Sequence, residues 1–361
     1  MNLILLLWQR RGGERQVTKG MKAPLLKVRE LKKHFPVRKG LFGRVRKVVR
    51  AVDGVSFHVN QGETFGLVGE SGCGKSTTAR CILRAIEPTD GKVWFNLQGS
   101  STEITQLDTE ELRQVWRQAQ MIFQDPYYSL NPRLTVEEII SEPLQCFQVG
   151  TKASRQQKVA DTMEVVGLDP NHMSRYPHAF SGGQRQRIGI ARALVLNPCL
   201  IVADEPVSAL DVSIQAQILN LLQDLQDQFM LTYLFISHDL GVVKHICDRV
   251  AVMYKGQLVE LATAHDLFSD PKHPYVELLL SAVPRPDPNY QMKPIVFARA
   301  KKEVSQSADS CLFANRCPYA ADICYHQTPM LVNEAKGSEP EHLVACHRSG
   351  DLRLEGVREA E

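Results

Sequence analysis

The sequence predicts an α/β protein built on a parallel sheet, and three stretches carry that prediction. Thr64-Phe65-Gly66-Leu67-Val68 is apolar and runs into the glycine-rich segment Gly69 to Thr77, after which Thr78-Ala79-Arg80-Cys81-Ile82-Leu83 continues as a helix. Leu200-Ile201-Val202-Ala203 is a continuous apolar run closed by Asp204 and Glu205, the pattern of a strand buried on both faces. Thr232 to Ser237 is a second such run and ends at His238. Strands alternating with helices define an α/β core, and such sheets bind ligands at the carboxyl ends of their strands.

The glycine-rich segment reads Gly69-Glu70-Ser71-Gly72-Cys73-Gly74-Lys75-Ser76-Thr77, a complete G-x-x-x-x-G-K-S between a strand and a helix. Glycines let backbone N–H groups turn inward toward an anion, and the positive end of the new helix lies beneath it. Lys75 can reach the β- and γ-phosphates of a nucleotide, and the Ser76 hydroxyl can hold Mg²⁺. The bland alternative is a glycine-rich turn before a helix.

The other elements follow in order. Val55, Phe57 and Val59 alternate with polar residues, as in a half-buried strand. The basic insert Arg38 to Lys47 reads as a solvated loop. Phe35 is either a ring that stacks on adenine or a core aromatic at a strand edge. Ala79, Ile82, Leu83 and Ile86 share a helical face, and Pro88-Thr89-Asp90-Gly91 is a turn before the strand Lys92 to Phe95. Helices are expected over Glu110 to Gln118, over Ser154 to Gly167, and from Asp169 onward. Between the first two lie Met121-Ile122-Phe123 and the turn-rich Asp125 to Pro132. Ser181 caps a helix carrying Ile188, Ala191 and Val195 on one face. Ser208-Ala209-Leu210-Asp211 caps another, running to about Phe229. Arg249 to Tyr254 and Gln257 to Leu261 form a hairpin about Lys255-Gly256. Beyond Phe268, prolines at 271, 274, 284, 286, 288 and 294 mark a linker and a small appendage.

Four polar features suit a bound triphosphate. Asp204, at a strand end, can hold Mg²⁺ opposite Ser76. Glu205 can orient or deprotonate the attacking water. His238 can contact the γ-phosphate and fix Glu205, although a lone histidine at a strand end is commonly structural. The amide of Gln124 can reach both the metal and the water. Ser181-Gly182-Gly183-Gln184 is a second anion-binding helix start. Its functional reading is a head-to-tail dimer in which this segment closes on phosphates held by the partner; its plain reading is a capped helix.

Bulk properties narrow the field. A chain of 361 residues holds one large core plus an appendage, or two domains. The net charge of +3 is too small to argue for nucleic acid as the main partner. No apolar stretch has the length of a bilayer crossing. The leader Leu3 to Trp8, with Gln9-Arg10-Arg11 after it, lacks the positive start of a secretory signal; it reads as floppy or as lying upstream of a start at Met21. Cys73, Cys81, Cys146, Cys199 and Cys247 are scattered singly, as in a reducing compartment.

Taken together and in this order, Gly69 to Thr77, Gln124, Ser181 to Gln184, Asp204-Glu205, Ser208 to Asp211 and His238 resemble the nucleotide-binding subunits of ABC transporters, from about Leu25 to Phe268. More closely, the chain is similar to the ATPase subunits of dipeptide/oligopeptide importers. Phe123 to Pro132 (FQDPYYSLNP), Arg133, and His273-Pro274-Tyr275 through Pro288 carry that likeness, and the SLNPR variant leans toward the F-type rather than the D-type subunit.

The resemblance implies a P-loop NTPase fold with a RecA-like core, an antiparallel β subdomain and an α-helical subdomain at about 110–180. Residues 24–268 would form the ATPase unit, 1–23 a flexible leader, and 269–361 a linker and extension. Phe35 would stack on adenine; Ser181, Gly182 and Gly183 would touch the γ-phosphate in the partner's site; Asp211 would cross the dimer interface; Tyr127 and Tyr128 would meet a membrane-spanning subunit. ATP and Mg²⁺ are the implied ligands. The implied partners are a D-type sister ATPase, two permease subunits and, indirectly, an extracytoplasmic solute-binding protein, at the cytoplasmic face of the membrane. The rival function is a soluble ABC-type ATPase acting on ribosomes or DNA, but that class usually fuses two cassettes or inserts a long coiled coil. A nucleotide sensor without turnover would lack Glu205 or His238.

Cys311, Cys317, Cys324 and Cys346 follow C-x5-C-x6-C-x21-C, which matches neither zinc-site nor ferredoxin spacing. The likeness to importer ATPases with a cysteine appendage implies a [4Fe-4S] cluster; zinc and unliganded or disulfide-paired thiols remain open readings.

Overall fold

Residues 24–39, 44–97, 99–282, 309–335 and 340–356 are described by a computed structural model. The leader, the prolines at 284–294 and the centre of the basic insert lie outside the described residues.

Two sheets organise the chain. Strands β1 (Leu26–Lys39) and β2 (Arg44–Val59) pair antiparallel from Leu26↔Val59 to Lys39↔Arg44. The flanks of the basic insert therefore extend a hairpin and are not a loop: a backbone ladder, with a register shift between Val37 and Arg38, pairs both arms. The alternation of Val55, Phe57 and Val59 is inward-facing as expected, each less than a tenth exposed.

Next come β3 (Thr64–Val68), the glycine loop and α1 (Lys75–Ile82). Strands β4 (Asp90–Leu97) and β5 (Ser100–Glu103) complete a four-stranded antiparallel sheet in the order β2-β1-β4-β5.

Helix α2 (Thr109–Gln118), fixed by a capping box between Asp108 and Glu111, leads into β6 (Ala119–Ile122). Helices α3 (Val136–Cys146) and α4 (Lys152–Val165) follow. The helix expected from Asp169 onward is only a 3₁₀ turn at Pro170–His172. The carbonyls of Met173 and Arg175 instead accept from the Glu137 and Val136 N–H groups at the start of α3, at 3.0 and 2.9 Å.

The remaining core elements are α5 (Gly182–Leu194), β7 (Leu200–Asp204), α6 (Val212–Phe229), β8 (Thr232–Ser237), α7 (Leu240–Ile246), and the hairpin β9 (Arg249–Tyr254) and β10 (Gln257–Thr263).

The second sheet has eight strands in the order β11-β12-β10-β9-β3-β8-β7-β6, where β11 is Val332–Asn333 and β12 is Leu343–Val344. The pairs β9-β3, β3-β8, β8-β7 and β7-β6 are parallel. Both faces of the central strands β3, β7 and β8 are buried, so their interiors are apolar and polar residues stand only at their ends. Tyr233 and Phe235 face one apolar core with the helices, while Leu234 and Ile236 face a second core shared with the antiparallel sheet. Phe57 stacks on Phe65 with ring centroids 4.8 Å apart, joining the two sheets.

The end of the chain is built into this architecture. After α8 (Ala264–Ser269), His273 caps α9 (Pro274–Ser281), whose Tyr275, Val276 and Leu280 lie in the helix-side core. Strand β12 pairs with β10 through Glu260↔Val344 and Leu261↔Leu343, so the cysteine-bearing segment extends the large sheet.

Candidate functional site

The parallel register places the ends of three strands side by side. Val68 lies opposite Ser237, and Asp204 opposite Ile236, so the residues that follow β3, β7 and β8 emerge on one edge. The glycine loop turns sharply there. Gly74 has φ +113°, and an added Cβ would collide with the Ala51 carbonyl of β2; at Gly69 it would collide with the Met253 carbonyl of β9. The loop is thus seated between the two sheets with no space for side chains at these positions.

Lys75 is buried and folds back over the loop, its Nζ donating to the carbonyls of Gly69 at 2.7 Å and Glu70 at 3.1 Å. The Ser76 hydroxyl donates to Asp204 Oδ1 at 2.8 Å. Burial pushes the Asp204 carboxyl above its usual range, and the Ser76 hydroxyl draws it back down. A hydroxyl and a buried carboxylate side by side below an anion loop are an oxygen donor set that fits Mg²⁺.

Glu205 stands at the hub. Its Oε2 accepts from Gln124 Nε2 at 2.7 Å and lies 3.1 Å from His238 Nδ1. The carboxylate is largely buried while His238 is half exposed, so the histidine lies on the open side. Glu205 holds a left-handed backbone with φ +48°, and its N–H donates to the Ile236 carbonyl at 2.9 Å. Such conformations in a non-glycine residue are strained and persist where surrounding bonds enforce them.

Other predicted site residues form separate groups. Ser181 and Gln184 make a reciprocal capping box, the Gln184 N–H donating to Ser181 Oγ at 3.3 Å and the Ser181 N–H to Gln184 Oε1 at 3.0 Å. This helix start packs against the Ser208 to Asp211 turn: the space above Gly182 is bounded by Leu210 and Tyr127, and that at Gly183 by Ile214. Asp211 caps α6, accepting from the Ile214 N–H at 3.0 Å. The Ser213 hydroxyl bonded to it holds its carboxyl below the usual range. Phe35 is substantially exposed with Lys33 Nζ 5.0 Å above its ring, so it is not a core aromatic. Among the described residues, no hydrogen bond or ion pair joins Phe35, the Ser181 segment or Asp211 to the glycine loop within this one chain. Phe123, Tyr127 and Tyr128 are exposed, with the Arg185 guanidinium 4.1 Å from the Tyr127 ring centre.

The four C-terminal cysteines are unpaired and line one cavity together with Phe313 and His347. Burial pushes the Cys317 thiol up to about 12 and that of Cys346 up to about 11. As placed, no group of three or more His, Cys, Asp or Glu residues among those described has a metal-holding arrangement.

Two residues near the glycine loop were not anticipated from sequence. Tyr275 accepts a hydrogen bond from the Glu70 N–H at 2.9 Å, and Arg316 forks onto the Glu70 carboxylate at 2.9 and 3.0 Å. The His-Pro-Tyr triplet marked the first as part of a resemblance without hinting at a contact 205 residues away; nothing in the local pattern marked the arginine.

The geometry can be set beside known proteins. The family described as ABC transporter matches residues 52–208, and the family described as oligopeptide/dipeptide transporter, C-terminal region, matches residues 259–324. The oligopeptide transport ATP-binding protein AppF of Bacillus subtilis is 52% identical over 326 residues, covering 90% of this chain and 97% of AppF. The probable peptide ABC transporter ATP-binding protein y4tS of Sinorhizobium fredii is 50% identical over 336 residues, covering 91% of this chain and 90% of its own. Among solved structures, a dimer of the ATP-binding cassette MJ0796 bound to ADP and Pi aligns with TM-score 0.57 and 28% identity, over 66% of this chain and 98% of the cassette.

The seating of the loop yields a prediction. Gly74→Ala places a Cβ against the Ala51 carbonyl at a left-handed φ and costs about 1–3 kcal/mol. Urea unfolding with the midpoint lowered and the slope unchanged is the expected readout.

Proposed function

This chain belongs to the ATP-binding subunits of ABC transporters of the oligopeptide/dipeptide kind, and from that premise we propose that it is the ATP-hydrolysing motor of a peptide importer. The observation that carries the reading is the convergence of Gln124 and His238 on one carboxylate oxygen of Glu205, beside the Ser76–Asp204 pair. Phosphoryl transfer asks a protein mainly to position a water and spread charge. In this reading Glu205 orients the attacking water, and His238 and Gln124 hold its carboxylate in place. Lys75 leaves the loop carbonyls to meet the β- and γ-phosphates, while the N–H groups of Gly69, Ser71, Gly72, Gly74, Ser76 and Thr77 cradle them; the N–H groups of Glu70 and Cys73 shape the loop through the Tyr275 hydroxyl and the Glu70 carbonyl. Ser76, Asp204 and Gln124 would hold Mg²⁺, which neutralises phosphate charge when bound. Phe35, exposed and upstream of the loop, stacks on adenine.

The Ser181-Gly182-Gly183-Gln184 start and Asp211 form one cluster apart from the loop of the same chain, which favours their use on a partner's nucleotide. A D-type sister ATPase in a head-to-tail dimer supplies that partner. The dimeric state of the MJ0796 cassette supports the arrangement. The exposed Phe123, Tyr127 and Tyr128 suit contact with one of two membrane-spanning permease subunits, which a solute-binding protein feeds from outside. No helix among the described residues is long and apolar enough to cross a membrane, and the proposed place is peripheral, on the cytoplasmic face. Residues 24–268 act as the ATPase unit, with a helical subdomain at about 110–180, and 269–361 as the extension. The match of residues 259–324 to a transporter C-terminal region favours import over action on ribosomes or DNA.

A second reading concerns the extension. Four unpaired cysteines line one cavity, and the cluster proposed for them, a [4Fe-4S] centre, rests on the resemblance and not on their present arrangement, which holds no metal-binding group among the described residues. The thiols would have to move closer together than they stand and lose their protons.

Two outcomes test these proposals. Glu205→Gln retains ATP in equilibrium titration while phosphate release falls about 10²-fold or more; near-normal turnover removes Glu205 from its role. Anaerobic purification yields a brown protein with near-equal iron and sulfide; a colourless protein with stoichiometric zinc defeats the cluster.

A further inference from the structure

Glu70 puts a carboxylate in a loop built for a polyanion. Its carboxylate sits five positions before Lys75, where negative charge opposes phosphate. Every polar group of Glu70 is engaged: the N–H and the carboxylate are held from the C-terminal extension, and the carbonyl within the loop, where the Cys73 N–H also donates to it at 3.2 Å. Its N–H donates to the Tyr275 hydroxyl at 2.9 Å, its carbonyl accepts from Lys75 Nζ at 3.1 Å, and its two carboxylate oxygens accept from the two terminal nitrogens of Arg316 at 2.9 and 3.0 Å.

We propose that the extension completes the phosphate-binding loop, with Arg316 and Tyr275 as positioning residues that clamp Glu70 and neutralise its charge. The inference rests on the reading of Gly69 to Thr77 as the ATP loop. A forked guanidinium fixes both the direction and the charge of a carboxylate, which a lysine ammonium does not. Arg316 is itself held: its guanidinium lies 5.8 Å from the Tyr254 ring centre and 5.7 Å from that of Phe313. Tyr275 is fully buried, with its ring 4.6 Å from Tyr254 and 5.5 Å from Phe313. The same Phe313 lines the four-cysteine cavity, and its carbonyl accepts from the N–H groups of Arg316 and Cys317. A single turn of chain therefore links the thiol cavity to the loop. The ion pair is partly open to solvent, with side-chain exposures of 40% and 42%, so its effect is modest and salt-sensitive.

The test uses the full chain and titration with Mg-ATP at low ionic strength, with thermal melting of each variant in the absence of nucleotide. Arg316→Ala raises the Kd about fivefold, since Glu70 is left as an unneutralised carboxylate. Adding Glu70→Gln to Arg316→Ala restores the Kd to within about twofold of Glu70→Gln alone, because the charge to be neutralised is gone. Tyr275→Phe keeps the ring and removes only the hydroxyl, and raises the Kd about fivefold with an unchanged melting temperature. If Arg316→Ala does not fold, Arg316→Lys, which keeps the charge and loses the fork, gives a smaller rise in Kd. A wild-type protein that binds ATP while these variants bind equally well overturns the clamp and leaves the ATP site standing. A double variant as weak as Arg316→Ala also overturns it, reducing the arginine to a staple for the extension. Failure of the wild-type protein to bind ATP overturns the parent reading instead.

Discussion

The structure turns on a close approach of backbone to backbone. The glycine loop passes so near the carbonyls of Ala51 and Met253 that side chains at Gly74 and Gly69 have no space. One contact comes from the antiparallel sheet and the other from the large sheet. The loop is therefore set by the packing of the two sheets against each other, and the Phe57–Phe65 stack is part of what fixes that packing. Any shift between the sheets would open or crush the anion cradle.

The same sheet brings the remaining polar groups to the loop. Because β3, β8 and β7 are parallel neighbours in fixed register, Ser76, Asp204, Glu205 and His238 arrive at one edge from distant parts of the sequence. The strained backbone at Glu205, tied to the Ile236 carbonyl, aims its carboxylate where Gln124 and His238 meet it. The Ser181 and Asp211 helix starts are finished locally, by their own caps and by packing on each other, with no hydrogen bond to the loop among the described residues. In the proposed dimer a site split in this manner would be completed by a second chain, with ATP as the ligand shared by both.

Much of this was legible in the residues because the signals are local. A strand buried on both faces reads as an apolar run whatever it packs against, which located Thr64–Val68, Leu200–Asp204 and Thr232–Ser237. Caps and the glycine-rich segment also declare themselves over a few positions. Errors arose where long-range pairing overrides composition. Charge made the flanks of the basic insert look like a loop, although β1 and β2 pair across them. Helical composition after Asp169 lost to long-range bonds, the Met173 and Arg175 carbonyls serving the start of α3. Phe35 was ambiguous because an exposed and a buried ring have the same local sequence. The clamp on Glu70 was illegible for the same reason: Tyr275 and Arg316 reach it only through the fold, across 205 and 246 residues.

In the proposed function this loop holds the phosphates of ATP, and Lys75 does most to hold them. Equilibrium titration of the purified chain with ATP, alone and with a sister subunit, beside the Lys75→Ala variant, tests it most directly. Saturable, magnesium-dependent binding that weakens by at least an order of magnitude when Lys75 is removed, about the contribution of a charge-assisted contact, is the expected result. Equal affinity in the two proteins, or no retention of ATP by the unaltered chain, would contradict it.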